Sequence, residues 1–296
     1  MTNNFEWYKG NLLWLPERTI FLSKYGSHAY GTNIETSDID IRGVCIPPKE
    51  YFLGFVKKFE QAEAKQPYDV AVHDIRKFFA LATKCNPNII ELLYIDPSDW
   101  YFYKHPWTGI VENRHLFLSK KARFSFSGYA MSQLKRIETH RRWILNPPKK
   151  KPDRADFGLP YANTLDKKQL DVINAKIRKD MDKFAGEGRH KAELETVDEQ
   201  FVEIAVTEFN LDKNIIPIVL AERRFGAAAR NWEQYETWKL ERNPVRSELE
   251  AKFGYDTKHA GHLVRLMRMC KEIMTTGVVN VKRPDAEEIK SIRSGA

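Results

Sequence analysis

Residues 25–31 read YGSHAYG and residues 37–44 read SDIDIRGV, and together these two neighbouring stretches decide the predicted fold. Polar and apolar residues alternate in the second stretch, which is the period of a strand with one face in the core. An apolar run at 19–22 leads into the first stretch and predicts another strand over 19–25. In the strand predicted over 38–46, Asp38, Asp40 and Arg42 share the polar face.

Asp38 and Asp40 predict a cation site. Two carboxylates two residues apart on one strand face lie about 6–7 Å apart along the backbone, so their oxygens can converge on one or two divalent cations. Mg²⁺ prefers oxygen ligands of this kind and completes its shell with phosphate oxygens. The alternative is a solvated strand face, because such aspartate pairs are common.

Gly26 and Ser27 add a second feature at a fixed distance, since ten residues separate Ser27 from Asp38. A glycine lets the backbone approach a ligand closely, and a serine hydroxyl with nearby amides can hold phosphate oxygens. A short helix predicted over 28–34 would point its N-terminus at the same turn. Together with the carboxylates, this turn predicts a nucleotide site.

The Gly-Ser pair, the spacer and the Asp-x-Asp pair resemble the signature of the DNA polymerase β-type nucleotidyltransferase superfamily. The fuller wording of both stretches is similar to the branch of that superfamily associated with RNA ligases and RNA repair in bacteria and phages. Two further stretches fit the same branch, NPNIIELL at 86–93 and GYDTKHAGHLVRL at 254–266. The resemblance is specific in the first hundred residues and weaker between about 145 and 240.

The resemblance implies a third carboxylate on a neighbouring strand. Residues 68–73 alternate as a strand does, and Asp69 in this strand is our first choice. A helix begins near Asp74, so an N-cap role accounts for that residue without catalysis. Glu63 is a weaker alternative. The predicted catalytic and metal ligands are therefore Asp38, Asp40 and Asp69.

The charge of the chain is unevenly distributed along the sequence. Residues 1–110 contain 12 Lys and Arg against 13 Asp and Glu, whereas the remaining 186 residues contain 36 against 27. A concentrated positive field attracts polyanions, and nucleic acid is the usual one; the alternative is a solvated helical surface. The predicted nucleic-acid ligands lie within the basic region 114–154: Lys135, Arg136, Arg141, Arg142, Lys149, Lys150 and Lys151.

Beyond residue 110 the strand pattern fades and helical periodicity replaces it. Helices are predicted near 116–145, 166–185, 198–210, 217–241, 256–275 and 285–293, and the proline-rich segment 146–152 is predicted to be an exposed loop. We therefore predict an α+β protein in which a polymerase β-like nucleotidyltransferase core (a small mixed sheet with flanking helices) is followed by a mostly helical region. The predicted domains are 1–110, catalytic, and 111–296, helical with a basic surface.

The helix predicted near 256–275 supplies cations beside its apolar stripe. The stripe comprises Leu263, Leu266, Met267, Cys270, Ile273 and Met274. Lys258, His262 and Arg265 share one flank, from which they could meet a triphosphate. The alternative is ordinary snorkelling at a surface. We therefore predict nucleotide-binding residues Gly26, Ser27, Arg42, Lys258, His262 and Arg265. A metal site from His259 and His262 has no clear third ligand in the sequence.

The resemblance implies an enzyme that transfers NMP from an NTP to an acceptor hydroxyl with Mg²⁺ (or Mn²⁺) and releases pyrophosphate. The expected acceptor is an RNA, such as a tRNA 3′ end. The alternatives are transfer to a protein or small-molecule hydroxyl, or a non-catalytic RNA-binding module. Three widely spaced cysteines and the lack of a long apolar run predict a cytoplasmic protein without a membrane span. The preferred NTP, template use and oligomeric state do not follow from the sequence.

Overall fold

The structure is a computed structural model that describes residues 5–35, 37–54, 58–161, 175, 216–242 and 244–295. The strands within these residues are β1 (Thr19–Tyr25), β2 (Asp40–Cys45), β3 (Gln61–Ala64), β4 (Asp69–Asp74) and β5 (Trp100–Tyr103). The helices are α1 (Leu15–Arg18), α2 (Gly26–Tyr30), α3 (Glu50–Leu53), α4 (Ile75–Ala82), α5 (Pro87–Tyr94), α6 (His105–Glu112), α7 (Lys121–Leu145), α8 (Ile216–Glu241), α9 (Pro244–Phe253), α10 (Thr257–Thr276) and α11 (Ala286–Ser294).

The five strands form one mixed sheet in the order β3-β4-β2-β1-β5. Strands β2 and β4 are parallel, and the other neighbouring pairs are antiparallel. Helices flank this sheet, and helices also dominate the C-terminal part of the described chain. The predicted α+β class, a small mixed sheet with flanking helices followed by a mostly helical region, is therefore confirmed.

The sheet separates two apolar clusters. On one face, Phe21 and Tyr25 of β1 pack with the helices, including Trp107 of α6, whose ring stacks 3.9 Å from that of Phe21. On the other face, Leu22 of β1 packs with Trp7 in a smaller cluster formed by the N-terminal segment and alternate strand residues. Apolar side chains thus cover both faces of the sheet, and the polar candidate site residues lie at the ends of the strands.

Caps fix where several helices begin. The Asp74 side chain accepts a hydrogen bond from the backbone amide of Arg76 at 2.6 Å, which starts α4 directly after β4. Asn86 caps α5 in the same way, with Pro87 at its first position. Asp256 caps α10 by accepting from the backbone amide of His259 at 3.0 Å. These side chains explain why each helix starts where it does.

Most predicted elements are present, with shifted bounds. The strand predicted over 38–46 is shorter, so Asp38 lies in the segment before β2 rather than on the strand. The helix predicted over 28–34 is α2, which begins at Gly26. The segment 146–152 has no regular structure, as predicted. The helices predicted at 166–185 and 198–210 lie outside the described residues, apart from residue 175.

The chain divides into two compact units, residues 1–145 with 245–296 and residues 146–244. The first unit contains the sheet, and α7 packs there along α10. In the second unit, Arg154 forms an ion pair with Glu222 of α8 at 2.5 Å. These units divide the chain differently from the predicted domains 1–110 and 111–296, because α7 and the C-terminal helices belong to the same unit as the sheet. No helix among the described residues is both long enough and apolar enough to cross a membrane.

Candidate active site

The parallel register of β2 and β4 brings two of the predicted carboxylates together at one end of the sheet. Asp40 is the partner of Asp69 across this pair, and Tyr25 of β1 is the partner of Asp40 on its other side. Neighbouring strands lie about 4.8 Å apart, and register partners point to the same face of the sheet. Asp40 and Asp69 therefore begin their strands side by side, at the point where β1 ends and Gly26 follows.

The environment of Asp40 concentrates charge. Burial raises the pKa of Asp40, and the nearby Asp69 and Asp38 raise it further, while Arg42 and Lys258 act in the opposite direction. Four charged groups thus act on the Asp40 carboxylate at this end of the sheet. Two of the predicted metal ligands, Asp38 and Asp69, are close enough to Asp40 to disfavour its ionisation.

Asp69 is half exposed and is neutralised by basic neighbours. Arg42 donates through Nη1 to the backbone oxygen of Asp69 at 2.7 Å and lies 3.4 Å from its Oδ1. Lys65 Nζ lies 3.9 Å from Oδ2 of the same carboxylate. Arg42, a predicted phosphate ligand, therefore contacts a carboxylate in this structure, and its role toward a nucleotide stays a prediction.

Gly26 lies against Asp40. Its φ is +62°, which is a left-handed conformation that glycine adopts without steric cost. A Cβ atom at this position would lie 2.9 Å from Cγ of Asp40 and closer still to Oδ2. Ser27 follows at the second position of α2 and is partly buried. The predicted Gly-Ser turn and the predicted carboxylate pair therefore adjoin, although they come from different segments.

The alternative third carboxylates occupy other places. Asp74 is buried at the start of α4, where it caps the helix and forms an ion pair with Arg76 at 2.5 Å. Glu63 is exposed on the edge strand β3, opposite Ala71 in the register. Of the three candidates, Asp69 is the one in register with Asp40.

The predicted cations of α10 lie in three different environments. Lys258 is close enough to Asp40 to lower its pKa. Burial, then the charges of Arg265 and Lys258, lower the pKa of His262 to about 3, so this imidazole is neutral near pH 7 and supplies no positive charge. Arg265 is buried and forms an ion pair with Glu91 at 2.5 Å. Arg265 is therefore a paired, buried cation in this structure, and its role toward a triphosphate stays a prediction.

A buried polar network beside the Gly-Ser turn was not predicted from the sequence. Glu91 of α5 accepts hydrogen bonds from the hydroxyls of Tyr25 at 2.8 Å and Tyr30 at 2.6 Å. The guanidinium of Arg265 lies 3.7 Å from the centre of the Tyr30 ring. Tyr25 and Tyr30 flank the Gly-Ser turn in sequence, so this network holds both ends of α2. The repeated tyrosines of YGSHAYG were the available sequence signal.

The predicted nucleic-acid ligands are all exposed. Four lie on α7 in the first unit, namely Lys135, Arg136, Arg141 and Arg142. Lys149, Lys150 and Lys151 lie in the second unit, where Lys150 pairs with Asp156 at 2.6 Å. Exposure makes these cations accessible to a polyanion, and their contact with one stays a prediction.

The carboxylates at this end of the sheet are suitable ligands for a hard divalent cation. Asp38, Asp40 and Asp69 offer only carboxylate oxygens as ligands. Burial raises the pKa of Asp40, and the charges of Asp69 and Asp38 raise it further. Within the described residues, these three aspartates are not a group whose ligand atoms all lie within 4.8 Å of one another. The fit therefore rests on donor chemistry and on the register of Asp40 with Asp69.

This is an α+β protein with a polymerase β-like nucleotidyltransferase core, defined by the mixed sheet, its flanking helices and the carboxylates where β2 and β4 begin. Residues 5–146 match the model of the RlaP family, described as the RNA repair pathway DNA polymerase beta family. The resemblance seen in the sequence is thereby confirmed.

A curated relative comes from Enterobacteria phage T4, where it is named "Uncharacterized 38.9 kDa protein in nrdC-mobD intergenic region". It is 28% identical over 127 residues, which cover 39% of this chain and 38% of the phage protein. The similarity thus spans well under half of either protein. No solved structure matches the chain.

Proposed function

We propose that this protein is an NTP-dependent nucleotidyltransferase that transfers NMP to an RNA 3′ hydroxyl, such as that of a tRNA, and releases pyrophosphate. The observation that carries the proposal is the register of Asp40 with Asp69 beside Gly26. The match of residues 5–146 to this family supports the reaction class and the link to RNA repair. The three free, buried cysteines are consistent with a reducing compartment such as the cytoplasm.

Asp38, Asp40 and Asp69 would hold Mg²⁺ or Mn²⁺. When bound, the divalent cation lowers the pKa of the acceptor hydroxyl and neutralises charge on the triphosphate and the leaving pyrophosphate. The chain's own residues bind and orient the substrate. Gly26 leaves room beside Asp40 for close approach, and Ser27 offers a hydroxyl to a phosphate oxygen. Lys258 places a positive charge near the same carboxylates.

Alignment and charge stabilisation supply most of the rate in reactions of this kind. Arg42, which contacts Asp69, would offer its guanidinium to a phosphate oxygen of the substrate. His262 is neutral near pH 7 and would serve as a hydrogen-bonding group only. Arg265 would act indirectly, because it holds Glu91 and through it the tyrosines on either side of the Gly-Ser turn.

The direct test is incubation of the purified protein with each labelled NTP, Mg²⁺ and either total RNA or cell lysate. We expect label in RNA and stoichiometric release of pyrophosphate, and Asp40→Asn should abolish both. Glu112→Gln, at an exposed position on α6, is the matched control and should retain activity. Label in protein or in a small molecule would replace RNA as the acceptor. NTP binding without pyrophosphate release would contradict the transferase proposal.

The exposed cations of α7 support RNA as the acceptor. Each phosphate contact that is lost should flatten the dependence of log K on log salt by about 0.7 for a single strand and 0.9 for a duplex. The double variant Arg136→Gln/Arg141→Gln should therefore lower the slope by about 1.4 to 1.8. Lys9→Gln/Lys84→Gln removes the same charge from other exposed positions and should leave the slope unchanged. Equal slopes for the two double variants would contradict an RNA site on α7.

A further inference from the structure

A second cluster of potential ligands lies where α7 meets the start of α10. It consists of His140 near the C-terminal end of α7, Asp256 at the N-cap of α10 and His259 in the first turn of α10. The Asp256 side chain is 1% exposed, and each imidazole is 16% exposed. His140 lies more than a hundred positions before Asp256 and His259 in the sequence, and the packing of α7 along α10 brings it to them.

The distances in this cluster suit a tetrahedral metal ion. Oδ2 of Asp256 lies 3.5 Å from Nδ1 of His140 and 3.5 Å from Nε2 of His259, and the three ligand atoms all lie within 4.8 Å of one another. Zinc–nitrogen and zinc–oxygen bonds of about 2.0–2.1 Å place tetrahedral ligand atoms about 3.3 Å apart. Small side-chain movements would therefore close the site around an ion.

The two oxygens of Asp256 have separate contacts. Oδ1 accepts the capping hydrogen bond from the His259 amide at 3.0 Å, whereas Oδ2 faces both imidazoles. Stacking against the buried Trp143 ring, 5.5 Å away, orients the His140 ring. The helix cap therefore accounts for one oxygen only, and the other lies between two nitrogen ligands from different helices.

We propose that His140, Asp256 and His259 bind one first-row divalent cation of the Zn²⁺ class, which joins α7 to the N-terminus of α10. Two imidazoles and one carboxylate suit such an ion better than Mg²⁺, which prefers oxygen ligands throughout. Three protein ligands leave one coordination position for water or another oxygen. Among the described residues, this is the group of three potential ligands that lie within 4.8 Å of one another.

The position of Lys258 gives this site a role in the first unit. Lys258 lies in sequence between two of the ligands, and its charge acts on both Asp40 and His262. An ion held by Asp256 and His259 would fix the turn that carries Lys258. The site is thus separate from the carboxylates of β2 and β4, yet it positions a residue that influences them.

The test is titration of chelator-treated, full-length protein with Zn²⁺ and with Co²⁺, followed by calorimetry and visible absorption. We expect one site per chain, with ligand-field bands for Co²⁺ and no thiolate charge-transfer band, since the three cysteines are buried elsewhere. Loss of a second-shell group typically weakens metal binding about 10- to 100-fold, so His140→Gln and His259→Gln should each weaken it at least about 100-fold.

Three controls separate this site from the others. His115→Gln removes an exposed histidine and should bind one ion as the unmodified protein does. Asp40→Asn should also retain the Zn²⁺ site, so failure of the transferase proposal would leave this one standing. Asp256→Asn keeps a capping oxygen and should weaken binding while the metal-free protein retains its helical circular dichroism. The proposal would be overturned if the unmodified protein bound no stoichiometric metal ion. It would also be overturned if the His140 and His259 variants bound the ion as tightly as the unmodified protein, or if Asp40→Asn lost binding.

Discussion

Gly26 is the residue whose missing side chain makes room for Asp40: a Cβ atom at Gly26 would lie 2.9 Å from Cγ of Asp40. The two residues come from different segments of the chain, since Gly26 begins α2 and Asp40 begins β2. The close approach explains why the Gly-Ser pair and the Asp-x-Asp pair occur together. Any side chain at position 26 would have to displace the carboxylate.

Gly26→Ala should therefore affect activity more than stability. The left-handed backbone costs an alanine about 1–2 kcal/mol, and the displaced Asp40 carboxylate should lower nucleotidyl transfer about 100-fold, as a 1 Å misplacement can. Gly31→Ala is the matched control, because Gly31 also has a positive φ of 71° but its Cβ would meet other atoms only at 3.8 Å. Urea unfolding and the NTP assay measure the two effects. Equal losses of activity in both variants would show that backbone strain, rather than the collision with Asp40, is responsible.

The choice between Asp69 and Asp74 as third carboxylate can be decided by two substitutions. Asp69→Asn should abolish transfer and leave the unfolding free energy nearly unchanged, because Asp69 is half exposed. Asp74→Ala removes a helix cap and should cost about 1–2 kcal/mol of stability while the folded protein retains activity. Thermal melts and steady-state rates on both variants make the comparison. The reverse pattern would assign the catalytic role to Asp74.

The strands that carry Asp40 and Asp69 were predicted well, because the sequence signals for them are local. Alternation over 38–46 and 68–73 located β2 and β4, and a helix cap was correctly expected at Asp74. Strands β3 and β5 were missed for a physical reason. Residues 61–64 read QAEA, an alternation of only four residues whose apolar members are alanines, and residues 100–103 are a run of aromatic residues without alternation. Neither segment gives a clear strand signal by itself, and each is a strand because a neighbouring strand pairs with it.

Long-range pairing also explains which predictions for the side chains of α10 were wrong. The periodic stripe correctly placed Leu266, Cys270 and Ile273 in the core, but Met267 and Met274 are exposed and Arg265 is buried. An arginine is buried when a carboxylate neutralises it, and that carboxylate, Glu91, is 174 positions away. Periodicity within one helix carries no information about such a partner. For the same reason the third ligand near His259 could not be recognised before His140 was placed beside it.

The raised pKa of Asp40 predicts an unusual pH dependence. When the pKa of an acid is higher in the folded state than its usual 3.8, the folded protein binds more protons in the window between the two values. Stability therefore falls as pH rises through that window, and the ionised carboxylate destabilises the fold above it. Asp40→Asn should raise the melting temperature at pH 7, and the gain should disappear near pH 3.

Asp96 provides the opposite case in the same molecule. Hydrogen bonds from the side chain and the amide of Ser98 lower its pKa, so its ionised form stabilises the fold above the unfolded pKa. Asp96→Asn should accordingly lower the melting temperature slightly at pH 7, with the difference vanishing in acid. Melting curves between pH 3 and pH 8 on both variants test the two signs. A loss of stability at pH 7 in Asp40→Asn would contradict the assignment of Asp40 as a half-buried carboxylate with a raised pKa.

The ion pair between Glu91 and Arg265 predicts strong coupling between two distant parts of the chain. Breaking a buried pair by removing one partner leaves an uncompensated charge and typically costs about 3–5 kcal/mol. Glu91→Gln and Arg265→Met should each lower the free energy of unfolding by about this amount. The double variant should lose much less than the sum, because it leaves no buried charge behind.

Arg268, one turn along α10, is the matched control for this cycle. It forms ion pairs with Asp285 and Glu288 at 2.5 and 2.7 Å but is partly exposed, so Arg268→Met should cost no more than about 1 kcal/mol. Urea unfolding of the three single variants and the double variant measures the coupling.

The same proteins decide the role of Arg265, because substitution of a nucleotide ligand weakens NTP binding whereas substitution of a structural cation lowers stability. A stable Arg265→Met protein with weakened NTP binding would show that Arg265 meets the triphosphate after all, whereas a large stability loss that Glu91→Gln reverses would show that it supports α2 from behind.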